Sequence, residues 1–199
     1  MNPIYIHFVM PSILFFLASV FVAVALRILL TRKPLLMTSR WLFGFMCLAF
    51  LPTILNSFFL KAMTFTTPVM FGVLLIFFWY QMKGYMALGV SDVYFRDALL
   101  ASIKNLGYTA EESMSRIRII ETGDELQVSI QGWVGSAQIR PMPKCSSTTI
   151  QNIVKGMRKY FTETPGGTNY VISYFYIILG LLMGFITVRL FLTLHSVKL

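Results

Sequence analysis

The chain has 199 residues, of which 56% are hydrophobic and 15% aromatic, and its mean hydropathy is +0.70. These values argue against an ordinary soluble fold. A net charge of +9 usually suggests a nucleic-acid partner, but all eight acidic residues fall between residues 92 and 163, and residues 84–169 carry nine cations, which makes that segment only +1. The excess cations lie at the ends of apolar runs, so we do not expect nucleic acid to be bound directly.

Four apolar runs follow one another along the chain. They cover residues 4–26, 41–60, 62–82 and 169–188, and Lys61 alone separates the second from the third. About 20 apolar residues are enough for a helix to cross the hydrocarbon core. The sequence therefore predicts a polytopic α-helical membrane protein with four transmembrane helices and a small α+β (αβββα) cytosolic domain inserted before the last helix. The predicted domains are a three-helix transmembrane region (1–83), the cytosolic α+β domain (84–165), and the fourth helix with a short tail (166–199).

The cations of the short loops predict the orientation. The loop at 27–40 holds four Lys or Arg residues, whereas the loop at 61–68 holds only Lys61. Short loops rich in Lys and Arg stay in the cytoplasm. The segment before the first apolar run has no Lys or Arg, which favours an uncleaved helix over a secretory signal. We therefore expect a multi-pass protein of the inner (plasma) membrane, with its N-terminus outside and residues 84–165 cytosolic.

The polar insert has the pattern helix–strand–strand–strand–helix. Helical spacing predicts one helix from about residue 92 to 106 and another from about 146 to 161. Between them, apolar and polar residues alternate at 116–119, at 126–131 and around 137–139, which predicts a three-stranded antiparallel sheet. Thr109 and Glu112 fit a capping box at the start of a helical turn. Trp133, in a glycine-flanked turn, fits a core plug somewhat better than an exposed anchor for a partner.

Two sets of membrane residues are candidates for helix packing. Gly180-x-x-x-Gly184 permits close approach between helices, and we expect it to pack the fourth helix in a homo-oligomer. Asn56, deep in the second helix, fits a hydrogen bond to a neighbouring helix better than the lining of a pore.

The insert supplies two candidate binding surfaces. The alternation of its strands predicts a polar face that could dock a partner protein, and charge complementarity would make that contact selective. A basic cluster on the second helix of the insert fits either a solvated helix face or a contact with anionic lipid headgroups, with neither favoured. The docking candidates are Arg116, Arg118, Gln127, Gln131 and Trp133, and the headgroup candidates are Lys155, Arg158 and Lys159.

Catalytic and metal-binding patterns are missing from the sequence. His7 and His195 are the two histidines, and neither has a carboxylate or a cysteine nearby in the sequence. Cys47 and Cys145 lie in different kinds of segment, so a disulfide is not expected. We predict no catalytic residue, no metal site and no cofactor.

The predicted layout resembles, in architecture alone, small bacterial membrane subunits of multi-protein systems, such as the membrane component of the Kiwa antiphage defence system. The resemblance implies a membrane sensor or anchor. We therefore expect a non-enzymatic subunit that oligomerises and recruits a cytosolic protein partner. The alternative is a pore-forming or ion-conducting effector gated by the cytosolic domain, and the third and weakest hypothesis is a lipid-modifying enzyme. Neither the partner nor the oligomer number can be predicted from the sequence.

Overall fold

A computed structural model describes the backbone of residues 9–59, 66–113, 115–143, 145–164 and 166–196, and the side chains of these residues except those at 52–68 and 194–196. The helices, in chain order, are α1 (Met10–Thr31), α2 (Ser39–Phe59), α3 (Thr66–Gln81), α4 (Asp92–Asn105), α5 (Ser147–Glu163) and α6 (Val171–Ser196). The strands are β1 (Leu35–Thr38), β2 (Tyr85–Leu88), β3 (Ala110–Ser113), β4 (Arg116–Ile119), β5 (Glu125–Gln131) and β6 (Ser136–Pro141).

The prediction of four transmembrane helices is wrong. Among the described residues, two helical segments are long and apolar enough to span a membrane, namely Met10–Thr31 and Val171–Thr193. The other two apolar helical segments, Ser39–Leu51 and Val69–Gln81, are shorter. The whole of α3 has 16 residues, which corresponds to about 24 Å against a hydrocarbon core of about 30 Å. The apolar run at 62–82 overestimated this span, because such a run shows composition and does not show where its helix begins and ends. In α2, the side chains beyond Leu51 lie outside the described residues.

The predicted three-stranded αβββα domain is also wrong, because the sheet has six strands. All neighbouring strands run antiparallel, and the order across the sheet is β1-β2-β6-β5-β4-β3. Three strands were not predicted: β3 at one edge, and β1 and β2 at the other, where they flank the segment that contains α2 and α3. The resemblance to four-helix membrane subunits rested on four membrane helices and is not supported by the two that the described residues contain.

The chain divides into two compact units. The first contains Met1–Ala25, Arg40–Met82 and Phe175–Leu199, and the second contains Leu26–Ser39 and Lys83–Tyr174. In the first unit, α1 packs against α6, with the rings of Phe21 and Tyr176 5.4 Å apart. In the same unit α2 packs against α3, with the rings of Phe43 and Trp79 5.3 Å apart.

The core of the second unit lies between one face of the sheet and the helices α4 and α5. Alternate residues of β4, Ile117 and Ile119, are buried in this core, and so is Leu126 of the neighbouring strand β5. Helix α5 contributes to the core a stripe of apolar residues that recur every three to four positions, namely Ile150, Ile153, Val154, Met157 and Phe161. Helices α4 and α5 and strands β4 to β6 therefore assemble because each has one apolar side and those sides meet.

The segment between β1 and β2 leaves the sheet and returns to it at the same point. Thr38 lies opposite Tyr85 in the register, and the backbone N–H of Ser39 donates to the carbonyl of Gly84 at 3.0 Å. Gly84 has a φ of +107°, and a Cβ there would overlap the carbonyl oxygen of Ile139 in β6. A glycine is therefore required at this position. Residues 39 and 84 are thus held side by side.

Candidate docking face and membrane-proximal residues

The face of the sheet opposite α4 and α5, which we call the outer face, is polar over strands β3 to β6. Successive strands place their outward-pointing residues in lateral rows because the register aligns them. One row contains Ser113, Arg116, Gln127 and Arg140, and the next contains Glu111, Arg118 and Glu125. A third pairing joins Ser129 to Gln138, and a fourth joins Gln131 to Ser136. The docking candidates Arg116, Arg118, Gln127 and Gln131 are all exposed on this face.

The two candidate arginines have different electrostatic surroundings. Arg118 lies directly between the carboxylates Glu111 and Glu125 of the neighbouring strands. Arg116 lies between the neutral residues Ser113 and Gln127. Opposite charges on facing strands partly cancel one another. Arg116 therefore presents more uncompensated positive charge than Arg118 does.

Arg140 and Ser129 also belong to the outer face, although sequence reasoning did not select them. Arg140 lies opposite Gln127, and its Nη2 donates to Oε1 of Gln138 at 3.0 Å. The alternation of β6 could have shown this position, but only together with the register of three strands, which a single sequence does not provide.

The edge strand β3 is tied to α4 on the other face. Arg96 of α4 forms ion pairs with Asp92, at 3.1 Å, and with Glu112 of β3. Hydrogen bonding to Asp92, and then the charge of Glu112, raise the pKa of Arg96 above its ordinary value. The capping box predicted from Thr109 and Glu112 is wrong, because residues 110–113 form a strand and Glu112 binds Arg96 instead.

Trp133 does not plug the core, because its side chain is 82% exposed. It lies in the tight turn between β5 and β6, in which the backbone N–H groups of Val134 and Gly135 donate to the carbonyl of Gln131 at 3.1 and 3.0 Å. Its position in the turn separates it from Arg116, Arg118 and Gln127, whereas Gln131 is the last residue of β5 and adjoins the turn.

The three headgroup candidates lie on α5, on the opposite side of the sheet from the outer face. Lys155, Arg158 and Lys159 are all exposed. Arg158 Nη2 donates to the carbonyl of Leu36 in β1 at 3.4 Å, and Lys159 Nζ lies 3.9 Å from Oε1 of Glu163. Lys33 adds a fourth cation near the end of this helix, because its Nζ donates to the carbonyl of Thr162 at 3.0 Å.

The helix-packing candidates differ from one another. A Cβ on Gly180 would lie 2.6 Å from Cγ2 of Val22 and 3.0 Å from the carbonyl oxygen of Ala18, so Gly180 permits α6 to approach α1 of the same chain. A Cβ on Gly184 would meet nothing within 4 Å. The side chain of Asn56 lies outside the described residues, so its prediction is not addressed by the structure.

A buried carboxylate joins the turn between β4 and β5 to the start of α5. Asp124 Oδ1 accepts the backbone N–H of Ser146, the residue that caps α5, at 3.0 Å. Burial favours the protonated acid, but hydrogen bonds from Ser146, Thr149 and Thr122 outweigh it, so the pKa of Asp124 lies below its ordinary value. Burial, and then the charge of Asp124, raise the pKa of the neighbouring Cys145 thiol to about 11.

Within the described side chains, no three His, Cys, Asp or Glu residues come together in a way that could hold a metal ion. Cys47 and Cys145 are both free thiols. Comparison of the chain with protein-family models, with curated proteins and with solved structures finds no match in any of the three.

Proposed function

We propose that this protein is a non-enzymatic, membrane-anchored docking subunit. In this proposal α1 and α6 cross the inner membrane, the subunits associate as a homo-oligomer, and the outer face of the sheet binds a cytosolic partner protein. The observation that carries the proposal is the outer face itself, because strands β3 to β5 present exposed polar and charged side chains there while α4 and α5 cover the other face.

The exposure of α1 and α6 supports a membrane environment for them. Only 22% of the apolar part of each helix is buried within the protein. Their exposed residues include large apolar side chains such as Phe15 and Phe16 on α1 and Leu181 and Phe185 on α6. An apolar surface of this size is unfavourable in water and is the expected surface of a helix surrounded by lipid.

The cations around the second unit support its cytosolic location. Arg27, Arg32, Lys33, Arg40 and Lys83 all lie within it or directly beside it in the chain. Because residues 39 and 84 are held together, the segment between them begins and ends on the same side of the membrane. By the positive-inside rule, these cations support a second unit in the cytosol and an N-terminus outside.

The outer face suits a partner with an acidic surface. Arg116 and Arg140 lie on either side of Gln127 in one row, so they are separated by two strand spacings, or about 10 Å. A carboxylate on the partner could reach either guanidinium, and Gln127 between them can donate to the same group or accept from a neighbouring amide. This arrangement would attract an acidic protein surface and orient it along the row.

Purification of the full chain from native membranes tests the proposal. Arg116→Glu should abolish retention of the partner identified by mass spectrometry, because it reverses the charge at the centre of the row. The matched control is Lys104→Glu, which reverses an exposed charge on α4, in the layer opposite the outer face. Equal retention by the two variants, at normal membrane insertion, would reject the outer face as the docking surface.

A different measurement distinguishes the alternative, a gated pore, from the docking subunit. It depends on polar side chains of α2, such as Asn56, whose placement lies outside the described residues. Conductance of the purified chain in planar bilayers, lost on Asn56→Leu and kept on Arg116→Glu, would favour the pore over the docking subunit.

A further inference from the structure

The turn between β5 and β6 is clamped to the segment of chain that leads into α6. Asn169 Nδ2 donates to the carbonyl of Gly132 at 2.7 Å, while Asn169 Oδ1 accepts the backbone N–H of Val171, the first residue of α6. Gly135 has a φ of +83°, and a Cβ there would lie 2.9 Å from Cβ of Asn169. One side chain therefore caps α6 and holds the turn that carries Trp133.

A second set of hydrogen bonds prevents this turn from moving away. The backbone N–H groups of Gly89 and Val90 both donate to the carbonyl of Gly135, at 2.7 and 3.1 Å. The carbonyl of Gly89 in turn accepts the backbone N–H of Asn169 at 3.1 Å. The position of Trp133 is thus fixed relative to the first turn of α6 by backbone contacts from two directions.

The same region also holds the end of α1. Thr168 Oγ1 donates to the carbonyl of Arg32 at 2.7 Å, and Thr168 pairs with Val90 in an isolated bridge. Arg32 follows the last residue of α1 directly. The C-terminal end of α1 and the N-terminal end of α6 are therefore held next to one another in the second unit. The turn that carries Trp133 is held beside them.

We propose that the indole of Trp133 inserts into the lipid headgroup layer of the leaflet that α6 enters. The inference rests on the proposed crossing of the membrane by α6. Trp is enriched at this depth because its ring is apolar while its N–H can bond to headgroups or water. Tyr170 and Tyr174, at the start of α6, and the cation Arg32 are the other residues typical of that layer here.

This assignment explains why a large apolar side chain is left 82% exposed on a turn that is otherwise tightly held. Exposure to the cytosol would leave the indole without any favourable contact. Docking of a soluble protein is less favoured than the headgroup layer, because a residue at the level where two membrane helices end is close to the bilayer surface.

Fluorescence in lipid vesicles tests the inference. Trp41→Phe and Trp79→Phe leave Trp133 as the single Trp, since these are the three tryptophans of the chain. The full chain is then reconstituted in phosphatidylcholine–phosphatidylglycerol vesicles that contain lipids brominated either near the headgroup end or near the methyl end of the acyl chain. We expect Trp133 to be quenched several-fold more strongly by the shallow bromines than by the deep ones.

The matched control moves the single Trp to the other end of β5. Ile120 is 52% exposed beside the turn that connects β4 to β5, so Ile120→Trp in a chain that also carries Trp133→Phe should show no quenching by either lipid. Quenching of Trp133 no greater than that of this control would overturn the inference.

Failure of this inference can be distinguished from failure of the proposed function. A chain that resists alkaline extraction from the vesicles but shows an unquenched Trp133 keeps its membrane anchors and loses only the headgroup contact. A chain that is extracted by alkali contradicts the membrane anchoring itself. If the Trp variants do not fold, a nitroxide attached to Trp133→Cys in a chain with Cys47→Ser and Cys145→Ser reports the same depth by its accessibility to oxygen and to a water-soluble nickel complex.

Discussion

Asp124 accepts the backbone N–H of Ser146 at 3.0 Å, and this bond fastens the turn between β4 and β5 to the beginning of α5. The carboxylate lies where the orphan N–H groups of the helix point, so its negative charge is favoured there. The bond connects the strand that carries Arg116 to the helix that covers the core. Asp124 is therefore important to the stability of the second unit.

Asp124→Asn should lower the free energy of unfolding by about 1–2 kcal/mol near neutral pH, because it removes a buried charged acceptor. Since the folded-state pKa of Asp124 is lowered, its contribution is fully present above the ordinary value of about 4 and is lost as the pH falls through the folded-state pKa. The difference in melting temperature between wild type and variant should therefore shrink as the pH is lowered from about 7 toward about 3.

Asp97→Asn is the control for this series, because Asp97 is exposed on α4. The Cys145 thiol gives a second measurement, since the charge of Asp124 contributes to its pKa of about 11. Alkylation of Cys145 should be slow in the wild-type protein and faster after Asp124→Asn. Unchanged alkylation together with an unchanged pH profile would contradict the assigned role of Asp124.

Arg118→Glu should destabilise the sheet, whereas Arg116→Glu should not. The first change places a third carboxylate between Glu111 and Glu125, which should cost about 1 kcal/mol. The second places a carboxylate between Ser113 and Gln127, where the change should stay within about 0.5 kcal/mol. Thermal unfolding of the full chain in detergent measures both. A larger loss of stability on Arg116→Glu than on Arg118→Glu would mean that the charges of cross-strand neighbours do not determine the electrostatic energy of the outer face.

Gly180→Leu should separate α1 from α6. The added atoms would overlap Val22 and the backbone of Ala18, at a cost of about 1–3 kcal/mol. Gly184→Leu is the matched control, because a Cβ at that position meets nothing within 4 Å in the chain. Unfolding temperature and particle mass in detergent distinguish the two roles. A smaller particle on Gly184→Leu, with normal thermal stability, would place Gly184 in the contact between subunits.

Cysteine labelling should find residue 147 in the cytosol and residue 2 outside. Ser147 is exposed on α5, and residue 2 precedes the first apolar run. In a chain with Cys145→Ser, a membrane-impermeant maleimide added to intact cells should modify Asn2→Cys and leave Ser147→Cys unmodified until the cells are opened. Labelling of Ser147→Cys in intact cells would reverse the proposed orientation.

In the polar insert, the sequence predicts those helices and strands that have one buried side and one exposed side. Helices α4 and α5 and strands β4 to β6 lie where the apolar spacing predicts them. Strands β1 and β2 could not be predicted, because each has four residues and carries apolar side chains on both faces, so no alternation marks them. Their pairing also joins residues on either side of the long segment that contains α2 and α3, and no local signal reports such a contact.

The sequence predicts on which side of its strand each candidate residue lies. It does not predict the neighbours on adjacent strands or the exposure of Trp133. The outward positions of Arg116 and Arg118 follow from the period of two in a strand, but their different neighbours depend on the register with β3 and β5. The exposure of Trp133 depends on Asn169, which holds its turn from a distant part of the chain. The count of membrane helices was wrong because, among the described residues, α3 is shorter than the apolar run that contains it.

The contact between Ser39 and Gly84 also determines how the sheet responds to mechanical force. Both ends of the segment between them lie at one end of the β1–β2 ladder, so a force that pulls those ends apart breaks the ladder hydrogen bonds one after another, beginning with the bond between Ser39 and Gly84. A force that pulls the Thr38 end of β1 one way and the Leu88 end of β2 the other way acts along the two strands instead, and loads the ladder hydrogen bonds together. Lateral displacement of α2 from α3 is therefore the weaker direction, and tension along β1 is the stronger one.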